Sequence, residues 1–162
     1  MFSIRRSNII LFIAGEGGHY AQAKRLHTGL KEGLQCPTIV LTDKLNNKID
    51  ENIPHYELGD LRNKSGFSFQ GFIFHLFNCL FVVLPLLARY RVNIISTGPG
   101  IAIFPSLIVR LAGGKIVHIE TWSRFYSKSG AGRVMYYLSN KFYVQNEELL
   151  KIYPKSIYSG RL

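Results

Sequence analysis

The sequence predicts an α/β protein, a Rossmann-like parallel sheet with helices on both faces, from three observations. The apolar run Asn8–Ala14 feeds directly into the glycine-rich loop Gly15-Glu16-Gly17-Gly18. Short apolar runs then alternate with helical stretches along the rest of the chain. Finally, the loops at 15–19, 97–100 and 120–124 all fall at the carboxyl ends of predicted strands, where ligands of such sheets gather.

The elements follow in order. Residues 8–14 read as a strand and 19–32 as the helix that its glycine turn opens. Thr38–Thr42 is the next strand. Residues 66–88 form a long apolar helix and Val92–Ser96 a strand closed by the turn Thr97-Gly98-Pro99-Gly100. A helix over 101–112 stops at Gly113-Gly114, and 115–119 is a strand. The segment 130–140 is a helix, Lys141–Val144 a short strand and 147–153 a last short helix.

At 162 residues the chain fits one domain, 1–162, and 47% hydrophobic content suffices for a core. Cys36 and Cys79 lie far apart without CxxC spacing, and no secretory signal precedes the first strand, so a reducing cytosolic setting is expected. His27, His55, His75 and His118 show no metal-ligand spacing and are assigned to structure, with no metal and no cofactor expected.

The formal charge is +10, and residues 82–162 carry eleven Lys or Arg against three acids. Such a balance attracts nucleic acid, anionic membrane or phosphorylated substrates. The basic residues stand singly among apolar runs rather than in a nucleic-acid module, which favours lipid headgroups and phosphates and argues against nucleic acid.

Sixteen of the 23 residues in 66–88 are apolar, with Arg62 and Lys64 before them and Arg89 and Arg91 after. As a helix the run extends about 30 Å, one bilayer core. Three placements compete: a membrane-interface helix, a buried crossover helix and a true span. A span conflicts with a sheet whose strands before and after the helix lie on one side of a bilayer, and equal positive flanks give no orientation.

The loop Gly15–His19 is a phosphate seat. Glycines let backbone N–H groups approach an anion, and the helix that follows aims its positive end at the same point. A dinucleotide site wants G-x-G-x-x-G and an acid about 20 residues later. Tyr20 holds the third glycine position, while Asp43 either binds a ribose or caps a strand end. Gly98 and Gly100 either allow close backbone approach or merely shape a turn.

The segments Ala14–His19, Thr97–Gly100, Glu120-Thr121-Trp122-Ser123-Arg124, Val144-Gln145 and 153–162 resemble the PssD/CpsF-type capsule and exopolysaccharide proteins. They are similar also to the membrane-anchoring subunit of the eukaryotic dolichol-linked N-acetylglucosamine transferase and to the N-terminal half of MurG, a peptidoglycan glycosyltransferase. The resemblance covers nearly the whole chain. It implies the N-terminal, acceptor-binding half of a split GT-B glycosyltransferase. A small separate partner then binds the UDP-sugar, and the acceptor is a saccharide on a polyprenyl diphosphate. Departures are Glu16, where relatives carry a small residue, Tyr20, and Asn146, where a Trp is expected. A carboxylate beside a diphosphate is repulsive, so Glu16 is expected to point away.

Under this resemblance an acceptor hydroxyl attacks the anomeric carbon as UDP leaves, and a base assists. His19 is the first candidate, because the start of a helix favours the neutral, accepting imidazole; its alternative role is packing at the turn. Glu120 is the second, its alternative an ion pair with Arg124. Arg124 is expected to grip phosphate. Phe72, Phe77, Lys128 and Arg133 are expected to meet lipid and headgroups at the cytoplasmic face of the membrane, joined by Arg5 and Arg6 in a peripheral or monotopic attachment. The tail 153–162, through Tyr153, Tyr158 and Leu162, either docks the partner or packs back against the sheet. An oxidoreductase domain using Asp43, or a non-catalytic scaffold recruiting a partner, are the other function classes.

Overall fold

The computed structural model describes residues 6–45, 48–59, 62–63, 66–67 and 69–162. In chain order the elements are β1 (Asn8–Ala14), α1 (Gly18–Leu30), β2 (Thr38–Thr42), β3 (His55–Glu57), β4 (Arg62–Asn63), β5 (Gly66–Phe67), α2 (Phe69–Arg89) and β6 (Arg91–Ser96). They continue as α3 (Ile103–Leu111), β7 (Ile116–Ile119), α4 (Gly130–Leu138), β8 (Lys141–Val144) and β9 (Ile157–Tyr158). Seven strands form one sheet in the order β3-β2-β1-β6-β7-β8-β9, every pair parallel.

Strand β1 lies inside the sheet, between β2 and β6, and is apolar on both faces, as a doubly covered parallel strand must be. Phe12 and Ala14 pack with Ala23 of α1 and Val40 of β2 on one face. Leu11 and Ile13 point the other way, into a larger core with Cys79 and Val83 of α2, Val109 of α3 and Met135 of α4. The order reverses between β1 and β6, so α1 and the row α2–α3–α4 lie on opposite faces. The ends of β1 and β6 therefore meet at the crevice where this topology places ligands.

Several expected boundaries change. The long helix starts at Phe69 rather than Gly66, because Gly66–Phe67 pair antiparallel with Arg62–Asn63. Residues 100–102 are a 3-10 turn ahead of α3. Glu147–Lys151 is also a 3-10 turn rather than a helix to Tyr153, since Pro154 disfavours a helical residue before it. Arg5 and Lys64, named above, lie outside the described residues.

His118 of β7 is fully buried, its ring stacked on Phe142 at 5.2 Å, and neither ring nitrogen has a hydrogen-bond partner among the described residues. Burial, and secondarily the charge of His19, pushes its pKa down to about 3. Burial also lowers His27 and His75. The unfolded chain therefore takes up these protons first. The stability is whole above pH 6.5 and falls as the pH drops toward 3. His118 alone should remove about 2 kcal/mol by pH 5, at ~1.4 kcal/mol per pH unit. Urea unfolding at pH 7 and pH 5 should show this loss, and His118→Phe should reduce it.

Candidate functional site

Three loops close on one another at the carboxyl end of the sheet. Gly15 lies against Pro99, whose Cβ would stand 2.8 Å from a Cβ added at position 15, so only glycine fits. Gly17 takes φ +61°, in the left-handed region, and caps α1 without a side chain. The Glu16 amide donates to Asp43 Oδ2 at 3.1 Å, and Asp43 Oδ1 accepts the Lys44 amide at 3.0 Å. Asp43 thus ties the glycine loop to the end of β2, and burial raises its pKa. Each carboxylate oxygen accepts a loop amide, which fits the strand-end role expected of Asp43 as the alternative to ribose binding. Glu16 turns aside, as expected, to pair with Lys44 at 3.0 Å.

His19 opens α1 in a fixed pose. Its Nδ1 lies 2.7 Å from the Thr97 carbonyl, and Thr97 Oγ1 donates back to the His19 carbonyl at 3.1 Å. A carbonyl only accepts, so Nδ1 carries the proton and Nε2 of the neutral ring is left with a free lone pair. Gly98, at φ +99°, makes room for this: a Cβ there would come within 2.9 Å of the imidazole. Gly100 is exposed and starts the turn before α3.

Glu120 does not join this surface. It is 0% exposed, and its carboxylate accepts the Thr121 amide, the Ser129 hydroxyl and the Tyr153 hydroxyl, all near 3.0 Å. Gly132 lies so close that a Cβ would overlap Oε2. Ser129 also caps α4 by accepting the Gly132 amide. Glu120 therefore anchors α4 and the tail to β7, in place of the expected general base. It forms no ion pair with Arg124, which is exposed and donates to Ser127 Oγ at 3.1 Å.

Of the two roles open to the tail, packing back against the sheet describes Tyr153. Tyr153 is fully buried, its phenol held up in pKa by burial and by Glu120, so it is a core residue rather than a docking one. Lys128, expected at headgroups, stands 5.0 Å over the Tyr153 ring. Arg133 is exposed on α4. Residues Ile157–Tyr158 add the outermost strand, with Tyr158 43% exposed, and the Leu162 amide donates to Gln145 Oε1 at 3.0 Å. Gln145 and Asn146 form a clasp. Gln145 Nε2 donates to the Glu120 carbonyl, and Asn146 Nδ2 donates to the Trp122 and Arg124 carbonyls, while its Oδ1 accepts from Arg161 Nε.

A second surface lies on the α2–α3 side. Helix α2 is long and apolar enough to cross a membrane, with mean hydropathy 2.1, yet only 17% of that stretch is buried. His75, Cys79 and Val83, spaced by four, face the core. Phe77 and Phe81 are 67% and 83% exposed, with Phe69, Phe74 and Leu84 beside them and Leu107 and Leu111 on α3. The buried-crossover placement is thereby set aside. Phe72 differs from Phe77: its ring meets Phe104 edge-on at 5.2 Å.

The family model for oligosaccharide biosynthesis protein Alg14 like matches residues 10–162. The chain belongs to the Alg14-like family. Rat and human proteins named UDP-N-acetylglucosamine transferase subunit ALG14 are 27% and 28% identical to it, each over 98% of this chain and 84% of its own length. Among solved structures, Acinetobacter baumannii MurG aligns with TM-score 0.60 and 15% identity over 96% of this chain and 44% of that one. A UDP-N-acetylglucosamine 2-epimerase aligns with TM-score 0.67 and 10% identity over 93% of this chain and 45% of that one. The Alg14-like chain thus spans under half of either structure, and the likeness carries the expected MurG-like α/β fold. Since an epimerase shares it, chemistry has to be argued from the site.

Spacing along the sequence does not single out Arg25 and Arg161, which stand beside Trp122 and Phe125 at this end of the sheet. The signal for Arg25 is helical: it lies seven residues after Gly18, two turns along the same face of α1.

Proposed function

We propose that this Alg14-like chain is the acceptor-binding, membrane-associated subunit of a two-chain glycosyltransferase. It moves a sugar from a UDP-sugar to a saccharide on a polyprenyl diphosphate. The relatives named as UDP-N-acetylglucosamine transferase subunits support a UDP-linked donor and a separate partner, which binds most of that donor. The loop resemblance supports capsule or exopolysaccharide assembly as the setting, at the cytoplasmic face of the membrane.

The observation that carries the reading is the His19–Thr97 pair at 2.7 Å, set at the head of α1 beside the glycine loop. The acceptor diphosphate rests on the amides that open α1, with Gly17, Gly18 and Arg124 nearby. A hydroxyl of the acceptor saccharide gives its proton to His19 Nε2 while its oxygen forms the new C–O bond at the anomeric carbon. The bond from that carbon to the diphosphate oxygen breaks, and UDP leaves. The exposed rings of α2 lie in the lipid interface and hold the site at the depth where the lipid-linked acceptor emerges.

Co-expression with a small donor-binding glycosyltransferase subunit tests this. Membranes carrying both chains should transfer labelled sugar from UDP-N-acetylglucosamine to a polyprenyl-diphosphate acceptor, and this chain alone should not. Transfer by the purified single chain refutes the two-chain reading.

A further inference from the structure

We infer that Arg25 and Arg161, each facing an aromatic ring across one pocket, form a second anion seat that takes a diphosphate group, apart from the glycine loop. The pocket, about 440 Å³, is lined by Arg25, Trp122, Ser123, Phe125, Arg161 and Leu162, with no Asp or Glu side chain among them. The Arg25 guanidinium lies 5.1 Å from the Trp122 ring and that of Arg161 5.1 Å from the Phe125 ring. Stacked in this way a guanidinium keeps its in-plane N–H groups for a ligand, and its fork matches a phosphate.

Each arginine is also pinned by one hydrogen bond. Arg25 donates to the Leu162 main-chain oxygen at 3.3 Å and Arg161 Nε to Asn146 Oδ1 at 3.1 Å. Neither has an Asp or Glu partner among the described residues. Two guanidiniums on one pocket without an Asp or Glu partner favour a doubly charged anion there.

Trp122 joins the pocket to the loop, its Nε1 standing 3.6 Å from where a Cβ on Gly18 would sit. Arg25, seven residues on, lies about 10 Å from Gly18 along α1. This inference rests on the transferase reading in one respect: both of its substrates carry a diphosphate, the class of anion this pocket would take. The group in the arginine pocket comes either from the nucleotide leaving group or from the lipid-linked acceptor.

Calorimetric titration of the full chain with inorganic pyrophosphate, UDP and farnesyl diphosphate tests the seat, using Arg25→Gln, Arg161→Lys and Gly17→Val. Arg25→Gln breaks no contact of the Asn146 clasp, so its folding, checked by thermal midpoint, should match the wild type. The expected result is about tenfold weaker pyrophosphate binding in Arg25→Gln, and weaker binding in Arg161→Lys through loss of the fork. A matching loss for UDP alone assigns the seat to the nucleotide, and one for farnesyl diphosphate alone to the acceptor. Unchanged affinity for all three probes in Arg25→Gln overturns the inference. If Gly17→Val alone loses farnesyl diphosphate, the loop reading stands while the arginine seat falls. If it loses nothing while Arg25→Gln does, the arginine seat stands and the loop reading falls.

Discussion

His19→Ala should lower turnover of the partnered enzyme by roughly 10²-fold or more, with kcat and kcat/KM falling together. The reason is the fixed tautomer: with Nδ1 donating to the Thr97 carbonyl at 2.7 Å, Nε2 is the group that accepts a proton. His19→Asn separates this from a packing role. An asparagine amide can still donate to Thr97, so a structural histidine would be rescued and a base would not. Glu120→Gln serves as the contrast. Its carboxylate accepts from three donors in a buried site, and an amide would turn N–H toward one of them. That should cost about 1–3 kcal/mol of stability, read in urea, with the chemistry changed only through folding. Wild-type turnover in both His19 variants removes His19 from the mechanism and leaves the recruiting scaffold as the reading.

Phe77→Asp with Phe81→Asp should release the chain from vesicles of phosphatidylethanolamine and phosphatidylglycerol. These rings are 67% and 83% exposed and lie outside the core, and in the proposed placement they enter the lipid interface. Burying a phenylalanine is worth about 2 kcal/mol, so the pair should cost about 10³-fold in partitioning. Co-sedimentation measures this, and an unchanged thermal midpoint shows that the core is untouched. Phe72→Asp should instead destabilise the fold, because Phe72 packs on Phe104. Added salt should weaken binding further if the exposed Arg89, Arg91 and Arg110 meet anionic headgroups. Retention of the double variant on vesicles removes α2 from the interface.

Much of the fold was legible because parallel strands and amphipathic helices leave local signatures. The span Lys141–Val144 coincides with β8, and Thr38–Thr42 with β2. The short β3 and β9 leave no such signature, since two or three residues carry no period, and the apolar tail that holds β9 is open in the sequence either to a partner or to packing on the sheet. Within the site, the glycine loop and His19 were found from a backbone demand: positive φ at Gly17, and room against Pro99 and the imidazole at Gly15 and Gly98. Glu120 and Tyr153 differ from their sequence expectation for the opposite reason. Each looks functional by itself, and only their mutual hydrogen bond across 33 residues shows both to be interior.

By itself, then, the amino-acid sequence determined the alternation of strands and helices, the glycine turn after β1 and the long apolar α2, because each is written in spacing and composition within a few turns of chain. The tertiary structure alone decided which groups face one another. Sheet order brings Asp43 to the glycine loop, Thr97 to His19, Glu120 to Tyr153, and Arg161 beside Arg25. Such pairings depend on how distant strands stack, which no local period encodes, and they separate the groups left open for a ligand from those the fold has already used.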